Sequence, residues 1–104
     1  MQSIILYCTC PDTETAEKLS HALVDQQFAA CVNIFNPVTS VYRWQGKVEQ
    51  DSECLLMIKS TNDHYNNIEK VVMDLHPYEL PELIAVPVSQ GLPAYLDWIE
   101  QCTQ

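Results

Sequence analysis

One short segment, His76-Pro77-Tyr78-Glu79-Leu80-Pro81-Glu82-Leu83, sets a histidine, a tyrosine and two glutamates among two prolines. Each proline locks its own φ, removes an amide donor and holds the preceding residue extended, so this is a stiff connector. Stiff polar connectors on a packed scaffold are frequent binding sites. The same prolines would also serve simply to end a helix and begin a strand. A second set of reactive groups is Cys8-Thr9-Cys10. In a strand, side chains repeat every second residue, so both thiols fall on one face. Thiolate and imidazole are transition-metal ligands, and a fold that brings Cys8 beside His76 would start a metal site. As small hydrophobes, the same cysteines suit a core equally well. His21 and His64 lie among polar neighbours in helical segments and are expected on the surface.

Catalytic arrangements are sparse. There is no Gly-x-Ser-x-Gly, and Gly46 and Gly91 are the only glycines, too few for a phosphate-cradling loop. Glu79 and Glu82 offer two carboxylates, but nothing sets their separation or tunes them as an acid–base pair. Cys8 and His76 could form a nucleophile pair, yet a thiol inside a strand is expected to be buried and inert. The chain reads as a non-enzyme.

The elements that must position these groups follow from patterning. Ser3 to Cys10 is β-branched and aromatic-rich and stops at Pro11, which predicts a strand. Asp12 or Thr13 then caps a helix that turns Ala16, Leu19 and Leu23 inward. From Cys31 to Lys59 the chain is rich in strand formers without helical period, and Gln45-Gly46 suits a hairpin tip. Two long antiparallel strands are expected around that tip, with a bend or bulge at Asn36-Pro37. Tyr42 and Trp44 share one face of the outgoing arm, Val41 and Arg43 the other. The tip would expose Tyr42, Trp44 and Val48, a pattern that suggests subunit contact. Thr61 or Asn62 caps a second helix striped by Tyr65, Ile68, Val72 and Leu75. Leu83 to Val88 is a wholly apolar strand, expected to be buried on both faces or to lie against a partner, with Pro87 favouring an edge. Pro93 opens a last helix whose sticky side is Tyr95, Leu96, Trp98 and Ile99. The order is that of a ferredoxin-like split β-α-β sandwich, class α+β, with a long hairpin and an extra C-terminal helix. In that arrangement the first strand is central, so Cys8 and His76 can approach at one end of the sheet.

Composition narrows the function classes. With 104 residues, 47% of them apolar and 18% charged, residues 1–104 form one globular domain. Fourteen acidic against five scattered basic residues give a net charge of −9. That balance excludes the clustered positive charge that nucleic acid or an anionic membrane surface requires. No apolar run is long enough to span a bilayer, and no signal-peptide pattern opens the chain, so a cytoplasmic location is expected. Five cysteines, an odd number with no Cys-x-x-Cys, suit a reducing compartment.

Tyr42, Trp44, Glu53, Lys59, Tyr78 and Glu82 form a further set. If oligomer packing laid the hairpin of one subunit over the connector of another, they would line a cleft of aromatic walls and a few charges. Such a lining suits a small ligand and a plain interface alike.

Several segments carry a resemblance to a known family: Tyr7-Cys8-Thr9 with Pro11-Asp12, Ala29-Ala30-Cys31-Val32-Asn33, Ser40 to Val48, His76 to Leu83, and Tyr95-Leu96-Asp97-Trp98. In order and spacing they resemble the CutA divalent-cation tolerance proteins over essentially the whole chain. The resemblance implies a ferredoxin-like subunit in a tight homotrimer, similar in architecture to the PII signalling proteins, with no established catalytic activity. It implies a role in tolerance of divalent metals, with copper or another divalent cation as the ligand. The ligands it implies are Cys8 and a His-His pair before Pro-Tyr; here that pair reads Leu75-His76, leaving Cys8 and His76. A PII-like small-ligand sensor using the inter-subunit cleft, and a purely structural trimeric scaffold, are the alternative readings.

Overall fold

The computed structural model describes residues 2–104. The chain runs β1 (Ser3–Cys10), α1 (Thr13–Asp25), β2 (Cys31–Trp44), β3 (Lys47–Thr61), a 3-10 turn (Asn62–His64), α2 (Tyr65–Leu75), β4 (Ile84–Pro87) and α3 (Pro93–Cys102). The strands form one sheet in the order β2-β3-β1-β4, all neighbours antiparallel. This is the ferredoxin-like α+β arrangement with one added helix.

The core follows the period-two pattern of the inner strands. Ile4, Leu6, Cys8 and Cys10 of β1 and Cys54, Leu56 and Ile58 of β3 are buried against Ala16, Leu19 and Leu23 of α1 and Ile68, Val71 and Val72 of α2. Asp12 caps α1, its Oδ1 accepting from the Thr15 amide at 2.8 Å. That hydrogen bond favours the ionised carboxylate and holds Asp12 below the usual carboxylate range. α3 lies along β3 and β1, where the Lys59 ammonium sits 5.7 Å from the centroid of the Tyr95 ring.

The β2–β3 hairpin gives the molecule its elongated shape, 44 × 25 × 22 Å. Gln45 and Gly46 make a two-residue turn with φ of 49° and 81°, the double-positive geometry that matches strand twist. The Asn36-Pro37 peptide is cis, and the register shifts between Phe35 and Val38, as expected for a proline that cannot donate to the ladder.

Three expectations are corrected. Neither Thr61 nor Asn62 supplies a side-chain cap to the second helix; a 3-10 turn intervenes, and the buried Thr61 Oγ1 has no hydrogen-bond partner. β4 is shorter than expected, and although it lies at the edge that Pro87 favours, it is not buried on both faces within the chain: it pairs only with β1, and Ile84 and Val86 stay exposed. His64 is half-buried rather than on the surface, because the 3-10 turn swings its Nε2–H onto the Thr103 carbonyl beyond α3.

The sheet has a second face, turned away from α1 and α2. Cross-strand register puts Tyr7 beside Met57 and Ile84, Phe35 beside Leu55, and Ile5 beside Val86 on it. Tyr7, Leu55 and Met57 are only half-buried there, and Phe35, Ile84 and Val86 are exposed.

Candidate metal centre

Pro77 explains how the connector reaches the sheet. The residue before a proline is disfavoured in helical conformation, so α2 stops at Leu75 and His76 turns extended, with φ −79° and ψ 133°. Its ring then covers the end of β1. His76 Nε2 lies 2.7 Å from the Thr9 carbonyl, and its Nδ1 accepts from the Tyr78 amide at 3.1 Å. An acceptor at Nδ1 places the ring proton on Nε2, so His76 is held as one neutral tautomer that donates to Thr9.

Cys8, Cys10 and His76, all buried, bring their donor atoms within 4.8 Å of one another. They are the one His/Cys/Asp/Glu group of at least three among the described residues close enough to hold an ion. Cys8 and His76 thus meet as the split β-α-β topology predicts. Cys10 completes the set, and its signal was the period-two repeat of Cys8-Thr9-Cys10. The two thiols share their protons unequally. The hydrogen bond to Cys10, then burial, pushes the Cys8 thiol far up, while the same bond to Cys8 pulls Cys10 down. Cys10 therefore gives up its proton more readily than Cys8.

The set fits a thiophilic ion in donor chemistry and burial. Donors on one tetrahedral zinc stand about 3.4–3.8 Å apart, so a modest contraction is required. Both imidazole nitrogens are engaged with backbone, so an ion must displace either the Thr9 carbonyl or the Tyr78 amide from the ring.

Tyr78 links this cluster to a cavity of about 610 Å³ between the hairpin and the connector. Its ring packs 4.7 Å from His76, centroid to centroid, and its Oη donates to Glu53 Oε2 at 2.8 Å. Tyr42, Trp44, Glu53, Tyr78 and Glu82 all line the cavity within a single chain. Lys59 does not join them; its ammonium is engaged over Tyr95 under α3. Sequence reading had no means of seeing that Glu53 is buried, at 7% exposure, or that Ser40, Val41, Arg43, Glu79 and Leu80 complete the lining. These residues become neighbours only because the hairpin curves over the connector.

Two phenols in this region donate to carboxylates. The hydrogen bond to Asp51 pushes Tyr42 from the ordinary 10.0 up to about 12. Burial, then the bond to Glu53, pushes Tyr78 up as well. A phenol raised in the folded state contributes stability that is intact below its unfolded value and is lost as pH rises through its folded value. Thermal melts should therefore fall more steeply with pH above 10.0 in the parent than in a Tyr42→Phe/Tyr78→Phe variant. Parallel pH profiles would refute the coupling.

Among the described residues there is no catalytic constellation, and no helix is long and apolar enough to cross a membrane.

Comparison with known proteins agrees with the fold. The crystal structure of CutA from Xylella fastidiosa superposes with a TM-score of 0.96 at 44% identity, covering 100% of both chains. The divalent-cation tolerance protein CutA of Thermus thermophilus is 43% identical over 103 residues, 99% of each chain. Mouse protein CutA is 44% identical over 98 residues; these are 94% of this chain but 55% of the mouse protein, so this chain spans about half of that relative's length. Residues 4–102 match the family described as CutA1 divalent ion tolerance protein. From strand order to sequence profile, this chain belongs to the CutA1 divalent ion tolerance family.

Proposed function

We propose that the chain works as a homotrimer that binds copper, or another thiophilic cation such as zinc, at Cys8, Cys10 and His76. The observation that carries this reading is the convergence of two thiols and an imidazole at one buried point. Soft thiolates joined by imidazole select Cu(I) and Zn(II) over hard cations. The apolar second face of the sheet supports the assembly, because a folded chain rarely leaves so much contiguous apolar surface in water. Binding an ion as thiolates releases protons, so uptake weakens as pH falls.

The test is native mass spectrometry of the reduced protein titrated with copper and with zinc, beside a Cys8→Ala/Cys10→Ala variant. The expected result is a trimer with one ion per chain. The variant should bind more than about 100-fold more weakly, exceeding the loss typical of an outer-shell partner. A trimer without uptake, or uptake indifferent to the two substitutions, would make the link to cation tolerance indirect.

A further inference from the structure

The cavity beside the metal cluster has a chemistry of its own. We propose that it binds a small organic cation, an alkylammonium or guanidinium group, against Tyr42, Trp44 and Tyr78, with Glu53 as the counter-ion. Its volume of about 610 Å³ suits a small ligand. Aromatic faces attract cations through the ring quadrupole. Among the described residues the one intramolecular cation over an aromatic ring is Lys59 on Tyr95, so these three rings have no cation of their own.

Charge points the same way. Glu53, Glu79 and Glu82 line the cavity against a single basic residue, Arg43, whose Nη1 reaches 3.4 Å toward the Gly46 carbonyl at the hairpin tip. Glu53 is 93% buried by the complement of its 7% exposure, and the hydrogen bond it accepts comes from the neutral Tyr78 phenol. No lysine or arginine among the described residues pairs with it. A buried carboxylate without a cation is costly, and a ligand that brings positive charge relieves that cost.

The ligand is not a bare metal ion. Within the described residues, the only cluster of donors close enough to grip one is Cys8, Cys10 and His76, not the cavity carboxylates. Carboxylates spread around aromatic walls match a larger cation that touches rings and charges together. An anionic ligand such as a nucleotide would meet three negative side chains.

The experiment is calorimetric titration of the reduced, metal-free full chain with choline and with agmatine. The neutral isostere 3,3-dimethyl-1-butanol and magnesium serve as comparators. At least one cation should bind saturably, with the isostere weaker than choline by about tenfold or more where choline binds, and magnesium unable to displace it. Trp44→Leu and Glu53→Gln should each weaken binding by about tenfold. Trp44 is exposed in the single chain, so its variant leaves the core intact; light scattering checks that the variant keeps the parent's assembly, and the isostere comparison uses the unaltered protein. No saturable binding of either cation, equal binding of the isostere, displacement by magnesium, or indifference to Trp44→Leu would overturn the proposal. Because no thiophilic metal is present, and magnesium prefers oxygen ligands, the outcome is independent of the thiol–imidazole site.

Discussion

His76→Ala should destabilise the metal-free protein by about 2–4 kcal/mol, a cost unrelated to metal. The ring at 8% exposure bonds two backbone groups, the Thr9 carbonyl, which also accepts weakly from the Cys8 thiol at 3.8 Å, and the Tyr78 amide. Leaving one such group unsatisfied costs about 1–3 kcal/mol, less where water reaches it. Removing the ring also opens a void over the end of β1. Chemical denaturation of the parent, His76→Ala and His76→Gln at equal protein concentration checks this. The Gln amide, with a donor and an acceptor, should recover part of the loss. A change under about 1 kcal/mol for His76→Ala would show that the prolines alone hold the connector. This clamp is why the metal-binding test substitutes Cys8 and Cys10 and leaves His76 in place.

Met57→Glu should break the proposed trimer. Met57 sits on the sheet face turned from α1 and α2, beside Tyr7 on β1 and Asn33 on β2. In a single chain this face reaches water and a carboxylate is tolerated, so the monomer should still fold. In an assembly closed on that face, each subunit would bury an unpaired charge, and such a group costs several kcal/mol per ion. A symmetric interface repeats that cost at every copy. Light scattering should show the parent at three times its 11.9 kDa chain mass and the variant at the single-chain mass. A variant that stays trimeric would move the interface elsewhere, with the exposed hairpin residues Val41 and Val48 as the next place to look.

The elements were legible because their causes are local. Period-two apolar residues in β1, Asp12 as a cap, Gln45-Gly46 as a tip and Pro93 at the start of α3 each act over a few residues, and the structure shows each of them in place. The misreadings are tertiary. β4 lies at the sheet edge as Pro87 favoured, and what fails is burial on both faces: within the chain much of its side-chain surface is open. His64 has polar sequence neighbours, and only the return of the chain after α3 supplies the carbonyl that half-buries it.

The site divides along the same line. By itself the sequence determined which groups could do chemistry, that Cys8 and Cys10 share a face, and that Pro77 must stop α2 and turn His76 extended. These follow from strand period and proline sterics, which no distant residue can alter cheaply. Only the tertiary structure decided that both imidazole nitrogens are spent on backbone, that Glu53 is buried against Tyr78, and that Lys59 is drawn to α3 rather than the cavity. Those outcomes depend on contacts between residues far apart in the chain, where hydrogen-bond geometry is set by how hairpin, connector and final helix pack on one sheet.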